Sequence, residues 1–191
     1  MALTTLDPNT ALLVVDLQNA IVALPTAHPA EATVARAGDL AQAFRGHGLP
    51  VVLVTAAGQA PGRIEQPIQV RGGSGPRPEN PMDPAPGLHR QPGDHLVTKY
   101  TRSAFTETGL TDRLRALGVT QVVLAGIATS IAVESTGRDA YEQGFNVTFA
   151  IDAMTDLTLE AHQHSVTRIF PGLGETGTAT DVVELLTVTR G

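Results

Sequence analysis

The sequence predicts an α/β fold with three α/β/α layers, in which a doubly wound (Rossmann-like), mainly parallel sheet of about six strands lies between helices. Short apolar runs typical of buried strands alternate along the chain with stretches of helical periodicity. Most of these runs end directly at a polar residue or a glycine, and strands buried on both faces read as such continuous runs. At 191 residues, we expect a single domain over 1–191, with right-handed crossovers between its strands.

Four strands and five helices can be placed from the pattern. The strands are predicted at 11–15, 51–55, 122–125 and 147–151. Apolar residues at helical spacing predict helices near 34–44, 110–117, 130–143, 159–170 and 178–186. Thr178 and Asp181 resemble a capping box, which favours a helix start at that point.

The segment from about 56 to 98 departs from this alternation. It contains eight prolines and the pair Gly72-Gly73, and it therefore predicts a long loop that is either functional or disordered. On a monomer its apolar side chains would be partly exposed, namely Ile64, Ile68, Val70, Met82 and Leu88. We therefore expect a homo-oligomer, a dimer or tetramer of closed symmetry, with this loop or the helix after Ser130 at the interface.

Composition excludes several classes of protein. The net charge is −6 and no basic run occurs, so we expect no nucleic-acid partner. The apolar stretches reach only about five or six residues and the N-terminus has no basic-then-apolar signal, so no membrane association is expected and a cytoplasmic location is the default. The chain has 0 cysteines, which excludes disulfides, thiolate metal sites and a thiol nucleophile.

The carboxyl ends of the predicted strands indicate where a ligand would bind. In open α/β sheets, ligands occupy the crevice outside these ends. Asp16–Asn19 follows the first strand, Thr55–Gly58 the second and Gly126–Ser130 the third. We therefore expect a small-molecule substrate to meet residues from these three places.

Three motifs at or beside the strand ends form a recognisable series. The first is Asp16-Leu17-Gln18-Asn19, the second runs from Lys99 through Ser103-Ala104-Phe105 to Leu110, and the third covers 126–136. This series resembles that of the isochorismatase-like hydrolases, in the cysteine hydrolase superfamily. The resemblance continues through 138–145 and Asp152-Ala153, and it covers roughly 11–183.

The resemblance implies roles for particular residues. Asp16 corresponds to the family's catalytic aspartate, Lys99 to the lysine that stabilises charge, and Ala132 to the position of the nucleophilic cysteine. It also implies a non-proline cis peptide at Ile127–Ala128, with backbone amides near Ala128 and Ala132 binding developing negative charge. Four residues are implied in substrate or oxyanion binding: Ile127, Ala128, Gln18 and Phe105. We expect the Asp16 carboxylate and the Lys99 ammonium to lie about 3–4 Å apart beside the Ile127–Ala128 bond.

Ala132 removes the nucleophile on which most members of this family depend. Ser130 does not replace it, because a residue two positions earlier on a helix points about 200° away, and Ser135 lies nearly a turn later. The expected function is therefore hydrolysis of a small carboxylate or carbonyl compound without a cysteine nucleophile, with Asp16 as general acid/base and Lys99 as its electrostatic partner. Two alternatives are a catalytically silent small-molecule-binding member and a cysteine amidase whose nucleophile was replaced by Ala132.

No cofactor and no metal are expected. The family's metal-dependent amidases place an aspartate and histidines after the second strand, where this chain has Thr55-Ala56-Ala57-Gly58. His162 and His164 lie on different faces of their predicted helix, so we expect His162 to be a packed core residue rather than half of a metal site. Three arginines of the long loop are expected to be solvated rather than to bind an anionic substrate: Arg63, Arg71 and Arg77.

Overall fold

The computed structural model describes residues 3–58, 62–65 and 78–190. Its core is a sheet in which all neighbouring strands are parallel. The six strands are β1 (Thr10–Val15), β2 (Val51–Ala56), β3 (His95–Lys99), β4 (Gln121–Ile127), β5 (Asn146–Thr155) and β6 (Glu175–Gly177). Their order is β3-β2-β1-β4-β5-β6, which confirms the predicted doubly wound, parallel sheet.

Helices cover both faces of the sheet. They are α1 (Asn19–Val22), α2 (Ala30–Gly46), α3 (Leu110–Ala116), α4 (Glu134–Glu142), α5 (Leu159–His164) and α6 (Ala179–Arg190). Helices α2 and α6 pack in one apolar cluster and α3 and α4 in another. Leu12 and Val14 of β1 face the first cluster and Leu13 and Val15 the second. Both faces of β1 are therefore buried, which explains its continuous apolar run.

Strand β3 lies within the segment predicted as a loop. It pairs with β2 at the edge of the sheet, and only Val97 and Lys99 of its five residues are buried. An edge strand of this kind has no continuous apolar run for the sequence to reveal. The short 3₁₀ helix Pro86–Leu88 also forms in this segment.

The last part of the long segment is attached to the domain. Arg45 of α2 binds the Asp94 carboxylate through two nitrogens, at 2.9 and 2.8 Å, and also donates to the Leu88 carbonyl at 3.2 Å. Leu88 is buried in this chain's own core, contrary to the expectation that it would be exposed on a monomer. Exposure was overestimated because the 3₁₀ helix packs the leucine against α2.

Several other predictions on this segment lie outside the described residues, namely those for Ile68, Val70, Arg71, Gly72-Gly73 and Arg77. Arg63 is described, and it is exposed. No helix among the described residues has the length and apolarity needed to cross a membrane.

The helices form near the predicted positions, but two of the predicted helices include π or 3₁₀ turns. The segment predicted as one helix at 130–143 begins with a π turn, Thr129–Val133, before α4. The segment at 159–170 is divided into α5, a π turn (Ser165–Ile169) and a 3₁₀ turn (Phe170–Gly172). The capping box before α6 is confirmed: the Thr178 N–H donates to the Asp181 carboxylate at 2.7 Å, and the Asp181 N–H donates to the Thr178 hydroxyl at 3.1 Å.

Candidate active site

The candidate site lies at the carboxyl edge of the sheet, where β1, β3 and β4 end. Asp16 follows β1, Lys99 is the last residue of β3, and Ile127 is the last residue of β4. Strand β1 pairs with β4 on one side and with β2 on the other, while β2 pairs with β3. The parallel register thus brings the ends of all these strands to one edge, which the sequence predicted for β1, β2 and β4 but not for β3.

An ion pair joins Asp16 and Lys99. The Lys99 Nζ lies 2.9 Å from Oδ2 of Asp16, and the two side chains are only 3% and 8% exposed. The ammonium also donates to the Thr101 carbonyl at 3.0 Å. Asp16 has a φ of 57°, in the left-handed region that non-glycine residues seldom adopt. The close approach expected between these two charged groups is therefore present.

The second carboxylate oxygen of Asp16 is left without a partner. Oδ1 is buried and accepts no hydrogen bond from any described residue. Burial raises the pKa of this carboxyl from 3.8 to about 6, although the charge and the hydrogen bond of Lys99 act in the opposite direction. A carboxyl with a pKa near neutrality can both donate and accept a proton under physiological conditions.

Ala132 and the Ile127–Ala128 bond lie together on the turn that follows β4. The Ile127–Ala128 peptide is cis, as the resemblance implied. The Ala128 carbonyl accepts hydrogen bonds from the amides of Ile131, Ala132 and Val133, at 3.2, 3.0 and 3.2 Å. The Ala132 amide, expected to bind negative charge, thus donates within its own turn. Ala132 itself is 3% exposed, so its methyl group fills a buried position.

Gln18 connects the ends of β1 and β2. Its side-chain oxygen accepts from the Ala56 N–H at 2.7 Å, and its side-chain nitrogen donates to the Ala56 carbonyl at 3.2 Å. The same nitrogen lies 3.5 Å from the Met82 sulfur. The amide predicted to bind substrate is therefore engaged with the backbone of the neighbouring strand.

Phe105 is part of the core. It is 6% exposed, and its ring stacks on Phe145 with centroids 5.9 Å apart. Beside it, the Ala104 N–H donates to the hydroxyl of Thr136 on α4 at 3.1 Å. The hydrogen bond between Ala104 and Thr136 attaches the lysine motif to α4.

The two candidate serines serve other contacts or remain partly exposed. Ser130 is half-buried, and its backbone N–H donates to the Asp156 carboxylate at 2.6 Å. Ser135 is also half-buried, on the first turn of α4.

His162 is buried, but its contacts are polar rather than purely apolar. Its Nδ1 lies 2.8 Å from the hydroxyl of Thr129, directly after the cis peptide. Burial and the neighbouring His28 lower the pKa of the ring, and Asp156 acts against this. His164 is exposed, so the two histidines do not point to one place. Among the described residues, no group of three or more His, Asp and Glu side chains could hold a metal ion.

Thr129 and Asp156 were not singled out from the sequence. Asp156 is 1% exposed, and it follows a β5 that continues to Thr155, past the predicted end at 151. A register irregularity between Leu124 and Gly126 of β4 accompanies this extension. The sequence predicts that this strand ends just before Asp152. Asp156 was therefore not expected to follow a strand end.

Comparisons with known proteins agree with this architecture. The isochorismatase domain model matches residues 10–181. An uncharacterized isochorismatase family protein of Escherichia coli O157:H7 is 37% identical over 182 residues, which cover 93% of this chain and 96% of the relative. A probable isochorismatase of Pseudomonas chlororaphis is 30% identical over 85% of this chain and 79% of the relative. The solved structure of an isochorismatase family protein from Burkholderia thailandensis has a TM-score of 0.84 and 41% identity, covering 96% of this chain and 98% of that one.

Proposed function

This chain belongs to the isochorismatase family, and we propose that within it the chain hydrolyses a small carboxylate or carbonyl compound without an enzyme nucleophile. Asp16 is the general acid/base and Lys99 its electrostatic partner. The observation that carries the proposal is the buried Asp16 carboxyl, which has one oxygen on Lys99, the other without a partner among the described residues, and a pKa of about 6. Ala132 at the family's cysteine position supports a route with no covalent intermediate.

Hydrolysis of a vinyl ether is the reaction that this arrangement fits best. The neutral Asp16 carboxyl gives its proton to the terminal carbon of the C=C bond, and the π electrons form the new C–H bond. Water adds to the resulting oxocarbenium carbon and returns a proton to the Asp16 carboxylate. The hemiketal hydroxyl then gives its proton to the leaving oxygen as the bond between the carbon and that oxygen breaks, which yields a ketone and an alcohol. One water is consumed and Asp16 is regenerated. The probable isochorismatase among the relatives supports a substrate of this type.

Lys99 links substrate binding to the protonation of Asp16. In the free protein its ammonium lowers the pKa of Asp16. An anionic substrate group that binds the ammonium would neutralise this effect, so the pKa of Asp16 would rise further above 6. At pH 7 a carboxyl with a pKa of about 6 is protonated in roughly one molecule in ten. Binding of an anion would therefore increase the fraction of the acid form when the acid is needed.

Turnover of isochorismate by wild type and Asp16→Asn tests the proposal. The asparagine has nearly the same shape but cannot transfer the proton, so we expect a loss of kcat of at least about 100-fold. Asp39→Asn, an exposed substitution on α2, is the matched control and should retain wild-type activity. Equal activity of wild type and Asp16→Asn would refute the assigned role of Asp16.

A catalytically silent binding protein is the competing function. The internal hydrogen bond of the Ala132 amide favours it, because that donor is engaged within the turn. Such a protein would bind small carboxylates with an affinity that depends on Lys99 but would turn over none of a panel of vinyl ethers, esters and amides. Calorimetric titration with the panel, followed by product analysis, separates binding from hydrolysis.

A further inference from the structure

Two side chains from outside the candidate site hold the turn that follows the cis peptide. His162 of α5 bonds to the Thr129 hydroxyl at 2.8 Å, and the Asp156 carboxylate accepts from the Ser130 N–H at 2.6 Å. Asp156 also accepts from the Leu157 N–H at 2.7 Å through its other oxygen. Thr129 is fully buried and Asp156 nearly so. The consecutive residues Thr129 and Ser130 are thus each held by a polar contact, of which that of Thr129 is fully buried.

A second histidine extends this network. The ring centroids of His28 and His162 lie 4.8 Å apart in an edge-on arrangement. His28 contacts the Thr155 hydroxyl through both its backbone N–H and its ring Nδ1, at 3.0 and 3.1 Å. The Ala27 N–H donates to the Asp156 carbonyl at 2.7 Å. The end of β5, the segment before α2 and the start of α5 are therefore joined behind the turn.

The His162 ring is buried but borders open space on one side. A cavity of about 420 Å³ lies against His28 and His162, between the start of α2 and β5. A ring that borders open space on one side has fewer neighbours to hold its orientation. The hydrogen bond to Thr129 is a directional contact between the ring and the turn, in addition to the packing of α5 against the turn and the edge-on contact with His28.

We propose that His162 is a positioning residue: through Thr129 it fixes the Ala128–Ala132 turn against the acid–lysine pair, with His28 and Asp156 supporting it. The effect of His162 on turnover rests on the proposed function, whereas its effect on the position of the turn does not. The Ala128 carbonyl accepts hydrogen bonds from three amides of this turn, including that of Ala132. A turn freed from Thr129 could rotate and change which of these amides face the site.

Amide hydrogen exchange measured by NMR tests the structural part without any substrate. Thr129→Val keeps the shape of the side chain and removes the hydroxyl, whereas Thr129→Ser keeps the hydroxyl. We expect exchange at 130–133 to accelerate about tenfold or more in Thr129→Val, relative to α6 amides of the same sample, and to stay within about threefold of wild type in Thr129→Ser. Thr167→Val, which removes an exposed hydroxyl on the π turn after α5, is the matched control.

Substitution at His162 completes the test. His162→Leu removes the hydrogen bond, while His162→Asn can place an amide near the former Nδ1. Local acceleration in His162→Leu with recovery in His162→Asn supports the proposal. If His162→Leu does not fold, the Thr129 pair alone decides. Unchanged relative exchange at 130–133 in Thr129→Val overturns the proposal, as does equal acceleration in Thr129→Val and Thr129→Ser.

Kinetics distinguish this inference from the proposed function. With a turned-over substrate, Thr129→Val should lower kcat at least about tenfold with KM changed less than about threefold, and Thr129→Ser should recover most of the loss. Local acceleration of exchange together with no turnover by wild type would refute the hydrolase and keep His162 as a positioning residue of the turn. Local acceleration with unchanged kcat would refute its catalytic consequence.

Discussion

Oδ2 of Asp16 lies 2.9 Å from Nζ of Lys99, although β2 separates the strands that carry the two residues. The lysine spans this distance along the carboxyl edge of the sheet while its chain remains buried, and it places its charge on the one carboxylate at the end of β1. Burial raises the pKa of Asp16, and the ammonium of Lys99 opposes this rise by its charge and its hydrogen bond. The first predictions test this coupling.

Lys99→Met should raise the pKa of Asp16 above its value of about 6. The reason is that the ammonium lowers this pKa by its charge and its hydrogen bond, and methionine keeps only the apolar chain. Titration of the ¹³C-labelled Asp16 carboxyl by NMR gives the value directly. Arg102→Met, at an exposed position close in sequence, serves as the control. A fall in the pKa of Asp16 in Lys99→Met would contradict the assigned pairing.

Asp16 should make the folded protein less stable as the pH rises. Its pKa is higher in the folded state (about 6) than in the unfolded chain (3.8), so the folded state binds the proton more tightly. The contribution is present in full below about pH 4 and is lost as the pH passes through 6, with a total of roughly 3 kcal/mol. Urea unfolding of wild type and Asp16→Asn at pH 4 and pH 8 measures the difference. A gap between the two proteins that does not change with pH would show that the carboxyl is not perturbed.

Gln18→Leu should destabilise the protein by about 1–3 kcal/mol. The leucine fills similar space but leaves the N–H and the carbonyl of Ala56 without their side-chain partner. Gln18→Glu keeps the acceptor for the N–H but loses the donor and buries a charge when it is ionised, so at neutral pH its loss should be at least as large. Urea unfolding gives both values. Wild-type stability of Gln18→Leu would mean that the two hydrogen bonds between Gln18 and Ala56 do not contribute to the free energy of unfolding.

Ala132→Cys tests whether the turn is suited to thiolate chemistry. The chain has 0 cysteines, so iodoacetamide labels only the introduced thiol. If the chain derives from a cysteine amidase, the thiol should have a pKa below the usual value of about 8.5 and react quickly at pH 7. Ala35→Cys, an exposed position on α2, provides the reference rate. A slow reaction and an ordinary thiol pKa would exclude the amidase origin.

A homo-oligomer remains our expectation for the assembly. Ile64 and Met82 are 50% and 39% exposed, and Tyr100 is 64% exposed. Leu88 is buried within the chain and no longer supports this expectation. The exposed apolar side chains of Ile64 and Met82 still support it. Light scattering at micromolar concentration should give a mass of two or four chains. A mass near the 19.9 kDa of one chain would refute the expectation.

The central strands were predictable because a strand that is buried on both faces has a continuous run of apolar residues. All six residues of β1 are buried, and β4 is buried throughout, so their apolar runs are continuous. Strand β3 has no such apolar run, because buried and exposed residues alternate along this edge strand. Its position could be inferred only through the lysine motif, since Lys99 must reach the carboxyl edge.

The candidate site was predictable to the extent that it consists of strand ends. Asp16 and Ile127 could be located because each follows or ends an apolar run. The Thr129–His162 contact could not be predicted, because it depends on where a helix broken by a π turn points its side chains. The contact of Gln18 with Ala56 could not be predicted for a related reason: the sequence shows an amide at a strand end but not the backbone beside it.

The attachment of Arg45 to Asp94 has a consequence for how such a protein can diversify. Arg45, Asp94 and Leu88 tie the chain to α2 immediately before β3 begins. On the other side of the segment, Ala56 is held by Gln18. Between these two anchors the chain also contacts the end of β3 and the start of α1: the Ala57 N–H donates to the Lys99 carbonyl at 2.9 Å, and the Asn80 carbonyl accepts from the Asn19 side chain at 2.9 Å. We therefore expect changes of length between the two anchors to be tolerated where they leave both anchors and these contacts in place, so that this segment can vary while the ion pair of Asp16 and Lys99 is retained.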